Sequence, residues 1–278
     1  MDSEIIQLKG VTKHFKKNVV LENLNLVIPE GQITGIIGAS GEGKSTILKL
    51  IIGFYKPNKG DILYLRRSVF KNIREIERKF GFSTDEGSFY DNLTVLENVR
   101  HFARLHKLKR KEVKKRAGEL LDFVGLTYAA RTKAKNLSAG MKKRLDVACS
   151  LVHNPEVLIM DEPTADLDPL LRAQMLGLVL KIKKQGTTII LTTQLLDEMD
   201  KVCDKIAILH EKRIVEEGPP MKIRNKYNAS DLNAVFEKIF SRKTKNAPEN
   251  PKINTQAINE IEEIEKVREE TERRERSR

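Results

Sequence analysis

The sequence predicts an α/β fold: a mostly parallel sheet with helices on it, an antiparallel β subdomain at the N-terminal end, and an inserted α-helical subdomain. Three observations carry this. A glycine-rich loop, Gly38 to Thr46 (GASGEGKST), sits between an apolar run at 32–37 and an amphipathic stretch from Lys44 to Gly53. A second apolar run, Val157-Leu158-Ile159-Met160, ends in two acids and reads as a buried parallel strand. Strands of this kind alternate with helical stretches, which is the pattern of a parallel sheet covered by helices.

Residues 4–28 alternate apolar and polar positions as paired strands do, in Ile5–Leu8, Val19–Leu21 and Leu24–Ile28. Pro29-Glu30-Gly31 then turns the chain into the strand that feeds the loop. Gly60 to Tyr64 reads as a further strand. From about 90 to 150 the apolar spacing becomes helical, with Leu93, Leu96, Val99, Phe102 and Leu105, then Leu120, Leu121, Val124 and Leu126. This is the expected helical insertion.

After 157–160, Pro169 to Gln185 is helical, with Pro at its first turn and Gly186 past its end. Thr187–Leu191 is the next strand, and 204–209 with 213–216 form a late strand pair. Residues 1–228 make the main domain. Residues 229–242 hold a capped amphipathic helix, SDLNAVFEKIF. Residues 243–278 read as a polar linker with Pro248 and Pro251, followed by a Glu/Arg-rich tail. That tail is expected to be disordered or a lone helix held by i,i+4 charge pairs.

The loop matches G-x-x-x-x-G-K-[ST] in the context that gives the motif its meaning, after a strand and at a helix start. Its glycines, Gly38, Gly41 and Gly43, let the backbone of Ala39, Ser40 and Glu42 curl with its N–H groups towards phosphate oxygens. The helix N-terminus adds partial positive charge. Lys44 reaches the β- and γ-phosphates in such a loop, Ser45 binds Mg2+, and Thr46 continues the helix start. Asp161, at the C-terminal end of its strand, can hold Mg2+ through water, and Glu162 can polarise an attacking water.

A third motif, Leu137-Ser138-Ala139-Gly140-Met141, follows in order between these two. With it the chain resembles the ATP-binding subunit of an ATP-binding cassette (ABC) transporter over residues 4–240. The resemblance implies a P-loop NTPase-type sheet, ATP and Mg2+ as cofactors, and ATP hydrolysis. It further implies a head-to-tail dimer, homo- or heteromeric, with each ATP held between the loop of one subunit and Ser138 and Gly140 of the other. A separate polytopic membrane permease is the implied partner, its coupling helix docking near Phe89-Tyr90 unless that pair serves packing alone, and the subunit is placed on the inner face of the cell membrane. Phe15 matches the aromatic that stacks on adenine, and Asp168 matches the acid of a loop that crosses the dimer interface. The stretch 212–218 and the terminal helix resemble drug-exporter-type ATPases.

Three positions depart from the family pattern, the mildest being Ala139 in place of the middle glycine of the signature. Asp85 stands where a glutamine that ligands Mg2+ is expected, and as a carboxylate it is read as a metal ligand too. Gln194 follows Thr192-Thr193 where a histidine contacts the γ-phosphate. An amide still donates a hydrogen bond but supplies no proton or cation. These changes allow two readings, tight ATP binding with slow hydrolysis or ordinary hydrolysis in which Glu162 suffices and Gln194 substitutes for the histidine, and they keep open a non-hydrolysing, ATP-gated regulatory subunit. A non-transport ABC protein is a further alternative; the single cassette and the absence of a cysteine cluster count against it.

The composition sets outer bounds. With 40% hydrophobic and 32% charged residues the chain supports a globular core. No apolar run approaches the length of a membrane span, and the N-terminus MDSEIIQLKG lacks a secretory pattern. Cys149 and Cys203 are read as buried, reduced thiols, which suits the cytoplasm. The net charge of +12 is concentrated in Arg104 to Lys115, RLHKLKRKEVKK. No aromatics interleave there, so no nucleic acid is expected. A solvated helix face is favoured, followed by a face held near anionic lipid.

Overall fold

In a computed structural model the described residues are 3–241, and the expected linker and tail at 243–278 lie outside them. One compact unit extends through Phe236, and a second begins at Glu237. The first unit opens with two long strands, β1 (Glu4–Phe15) and β2 (Asn18–Pro29), paired antiparallel. Both run further than their apolar cores suggest, because the ladder continues through polar positions such as Lys13 and Asn18. β3 (Ile33–Ile37) leads into α1 (Lys44–Ile51). β4 (Lys59–Tyr64) returns to pair with β1, and the short β5 (Arg67–Ser68) completes an antiparallel sheet of order β2-β1-β4-β5.

The second sheet takes β3, β6 (Phe80–Ser83), β7 (Val157–Met160), β8 (Thr188–Thr193), β9 (Lys205–His210) and β10 (Arg213–Gly218) in the order β10-β9-β3-β8-β7-β6. All its pairings are parallel except β9 with β10. Its central strands are buried along their whole length, which is why they read as unbroken apolar runs. Ile47, Leu48, Leu50 and Ile51 of α1 share one core with Leu8, Leu21 and Leu26 of the antiparallel sheet and Ile36 of the parallel one. The helix behind the phosphate loop therefore locks the two sheets together.

α2 (Ile73–Lys79) precedes β6. The inserted region begins at α3 (Val95–Leu105) and continues through α4 (Arg110–Phe123) to α5 (Ala139–Ser150). α-Helix does not fill the whole stretch: residues 124–138 form loops and two short 3-10 turns. Thr94 caps α3 through a capping box with Glu97, which explains why Leu93 lies before the helix rather than in it. Asn98, fully buried, accepts from the Tyr90 amide and donates to the carbonyls of Tyr90, Leu93 and Thr94. The remaining helices are α6 (Pro169–Lys184), α7 (Leu196–Val202), α8 (Pro220–Lys226) and α9 (Leu232–Ser241). Asp231 accepts from the Ala234 amide at the start of α9.

Candidate functional site

Parallel strands deliver the loops that follow them to one edge of a sheet. Here β3, β6, β7 and β8 bring loop 38–43, loop 84–88, the pair Asp161-Glu162, and Gln194 to the same edge. β8 lies between β3 and β7, so the phosphate loop and the acidic pair are two strands apart, roughly 9.5 Å at the usual spacing. Lys44 crosses that gap. Its ammonium, almost fully buried, donates to the carbonyls of Gly38 at 2.9 Å and Ala39 at 3.2 Å, and lies 3.7 Å from Glu162 Oε1.

The loop has the backbone its glycines allow. Gly43 is the left-handed N-cap of α1 at φ 108°, and a Cβ there would meet Val20 Cγ1 at 2.9 Å. No side-chain hydrogen bond caps α1, so its first N–H groups are left for a ligand. Ala39, Ser40 and Gly41 are exposed; Glu42, Ser45 and Thr46 are half-buried. Glu42 also pairs with His210 Nδ1 at 3.3 Å.

Asp161 is buried, and its carboxylate accepts from the Thr192 hydroxyl at 2.6 Å. The same hydroxyl oxygen accepts from the Glu162 amide at 3.1 Å. Thr192 thus holds both members of the acidic pair from the neighbouring strand. Sequence reasoning missed it; its adjacency to Gln194 was the only local signal. Glu162 itself has φ 48°, a left-handed conformation that costs a residue with a side chain of order 1–3 kcal/mol. Gln194 is exposed just past the end of β8.

Asp85 is held by α5. Lys143 Nζ lies 2.8 Å from Asp85 Oδ1 and 2.8 Å from its backbone carbonyl, and 3.4 Å from the carbonyl of Glu162. One turn further along α5, Asp146 is fully buried and accepts from the Ser83 hydroxyl at 2.6 Å, the Thr84 amide at 3.0 Å and the Ser88 amide at 2.5 Å. Burial raises its pKa above the ordinary carboxylate value, against the opposing pull of those hydrogen bonds and of Lys143. Asp146 and Lys143 went unnoticed in the sequence, because nothing local marks a contact to a loop some sixty residues away.

Ser138 is the N-cap of α5 and accepts from the Met141 amide at 3.4 Å; Ser138 and Ala139 are exposed. Gly140 is buried against Leu171, whose side chain a Cβ would approach to 3.1 Å. Asp168 caps α6, accepting from Leu170 and Leu171. Phe15 ends β1, 39% exposed, with its ring edge-on to Tyr55 and Lys13 Nζ 4.8 Å over it. Phe89 lines a cleft with Asp85, Ala139, Lys143 and Asp166, while Tyr90 is exposed beside His101. The groove beside the phosphate loop is formed by residues 18–20, Ser40–Glu42, Glu211 and Lys212, and it shares no lining residue with that cleft. The two buried thiols predicted at Cys149 and Cys203 are buried, and burial raises both pKa values.

The family model described as "ABC transporter" matches residues 21–165, more than half the chain, and spans loop, signature and acidic pair. The chain belongs to the ABC transporter family, as an ATP-binding domain. Among curated ABC proteins, the bacitracin transport ATP-binding protein BcrA of Bacillus licheniformis is 34% identical over 83% of this chain and 77% of its own length. The linearmycin resistance ATP-binding protein LnrL of Bacillus subtilis (strain 168) is 32% identical over 77% of this chain and 69% of its own length. Among solved ABC structures, the dimeric bacterial ABC transporter cassette MJ0796 superposes with a TM-score of 0.71 at 30% identity, covering 77% of this chain and 98% of that one. The same cassette is also known in a post-hydrolysis dimer bound to ADP and Pi. ABC ATPases hydrolyse ATP, and no described helix of this one is long and apolar enough to cross a membrane.

Proposed function

We propose that the chain is the energising subunit of an exporter, coupling ATP binding and hydrolysis to a separate membrane permease from the inner face of the cell membrane. The names of BcrA and LnrL, a transport and a resistance protein, support export. The working unit in this reading is a head-to-tail dimer in which Ser138 and Gly140 of one subunit close over the ATP on the loop of the other. One observation supports it: the groove beside the loop and the cleft at Ala139 share no lining residue within the chain, and Ser138 and Ala139 are exposed, as two half-sites completed by a second subunit would be.

The residues present fit Mg-ATP. The phosphate loop has uncapped helix N–H groups and a cationic Lys44 beside them. Ser45, at the start of α1, and Asp161, just past the end of β7, would hold the ion as a sparse donor set, and among the described residues no group of three or more His, Cys, Asp or Glu is placed to hold a metal. That suits Mg2+, which commonly takes one or two protein ligands and completes its shell with phosphate oxygens and water. When bound, the metal neutralises phosphate charge. Lys44 would neutralise the transferred group, Glu162 would orient and deprotonate the attacking water, and Thr192 would keep both acids in place. Asp85, predicted as a metal ligand, is committed to Lys143, so it enters the site only if that pairing opens.

Size-exclusion chromatography with the Glu162→Gln variant tests the dimer. Expected is an ATP-dependent dimer with turnover lost by on the order of a thousandfold or more; a Ser138→Arg partner should abolish it. A monomer at saturating ATP would overturn the shared site. Slow turnover is a second reading, favoured by Gln194 at the end of β8. It predicts that the purified chain turns over well below the tens per second of an efficient ATPase.

A further inference from the structure

α3 and α4 enclose an open groove of about 780 Å3 lined by Arg100, Arg104, Arg110, Lys111 and Lys114, over the aliphatic side chains Leu108 and Val113. No acid lines it. Among the described residues none of the five cations forms an ion pair with a carboxylate. Of the four acids on α3 and α4, Glu97 caps α3 at Thr94, Glu112 accepts from the Lys109 amide at the start of α4, Glu119 pairs with Lys115, and Asp122 lies near the far end of α4.

This arrangement costs helix stability. Arg100 and Arg104 form a like-charge i,i+4 pair on α3, as do Arg110 and Lys114, and Lys111 and Lys115, on α4. Arg110 and Lys111 also occupy the first turn of α4, where the helix dipole disfavours positive charge. Glu119 offsets this only at Lys115, and Glu97 partly at Arg100; the remaining like charges face one another, and such breaks of local pattern are where function is found.

We infer that the α3–α4 groove binds the phosphate headgroups of an anionic membrane surface. The inference rests on the proposed reading of the chain as a membrane-associated subunit. Arg104, Arg110, Lys111 and Lys114 are exposed and spread along two helices, rather than converging on one enclosed point as they would around a single small anion. Leu105, 58% exposed beside Arg104, supplies the apolar element of an interfacial contact. The lining has no aromatic side chain, and stacking with nucleic-acid bases needs one. Each basic residue near such a surface contributes about a fivefold gain in binding.

Co-sedimentation of the full chain with lipid vesicles tests this. Binding to vesicles of phosphatidylcholine with phosphatidylglycerol should exceed binding to phosphatidylcholine alone and should fall with salt. The triple variant Arg104→Gln/Lys111→Gln/Lys114→Gln should lose about tenfold or more of that binding. The control triple Lys181→Gln/Lys184→Gln/Lys222→Gln removes the same charge elsewhere and should change it less than about twofold. Lys111→Arg/Lys114→Arg should retain it. Equal loss in both triples, or no loss in the first, overturns the inference. Equally tight binding of soluble glycerol phosphate, or of single-stranded RNA, to the same groove also overturns it. Mg-ATP binding measured on each variant reports folding and the nucleotide reading separately.

Discussion

The ammonium of Lys143 on α5 is within 2.8 Å of both the carboxylate and the backbone carbonyl of Asp85, and its own side chain is 13% exposed. One cation thereby neutralises the acid that replaces an expected glutamine and pins the loop that carries it. Lys143→Met should leave the Asp85 charge facing the phosphate site, lowering ATP turnover more than ATP affinity. Adding Asp85→Asn should restore part of the loss. With the carboxylate half exposed, a double-mutant cycle on stability should give a coupling of about 1 kcal/mol; additive effects would remove the link.

Asp146 should matter more to the fold than to chemistry. Asp146→Ala strands the buried Ser83 hydroxyl and leaves the part-buried Thr84 and Ser88 amides without their acceptor, at a cost of about 3 kcal/mol. In a domain of this size that lowers Tm by about 6–12 °C, readable by thermal denaturation. An unchanged Tm would mean that water replaces the carboxylate.

Thr192→Val removes the hydroxyl shared by Asp161 and the Glu162 amide while keeping the strand's shape. The expected result is a loss of about 1–3 kcal/mol in stability and a higher Mg2+ requirement for turnover. Mg2+ titration of ATPase activity decides; an unchanged requirement would assign Thr192 to packing alone.

In the proposed reading, Gln194→His adds a group that can carry a proton beside the γ-phosphate. If one transition-state contact is missing, turnover should rise, up to about 10²-fold. Steady-state ATPase assays decide, and a fall in rate would argue that the amide is the fitted residue.

The motifs of the nucleotide site were legible because each is local: loop 38–46, the 157–162 run, and Ser138 at a helix start all stand in consecutive residues. The assembly of the loop and the acidic pair at one sheet edge followed from strand order, while Ser138 lies apart at the start of α5. The contacts that hold them were not legible. Thr192 to Asp161 and Asp146 to Ser83 join residues 31 and 63 positions apart, and no periodicity announces such pairs. The helices α2, α7 and α8 were also missed, since seven residues are too few to form a helix without tertiary packing.

A pH prediction comes from the helical region. His153 donates from Nε2 to the Phe80 carbonyl, stacks on His106 at 3.7 Å, and has no partner at buried Nδ1. Burial chiefly, with His106 and Arg116 nearby, depresses its pKa to about 4. The folded state therefore favours the neutral ring. The stabilisation is complete above the unfolded value near 6.5 and is lost as pH falls from there to about 4. Denaturant titrations should show a decline of about 2 kcal/mol over that window, discounted for partial exposure. His153→Leu should flatten it; a decline unchanged in the variant would assign the dependence to other groups.

α5 carries Ser138 at one end and Asp146 about 12 Å along its axis, with Lys143 between them. A helix does not stretch over two turns, so these three residues move as one body. Any displacement of α5 at Ser138 would carry with it Lys143 and Asp146 and so their contacts to Ser83, Thr84, Asp85 and Ser88, because the same rod that offers the cap also grips the loop. A touch on the outside of this protein has mechanical leverage on the segment beside its acidic pair, with no flexible link in between.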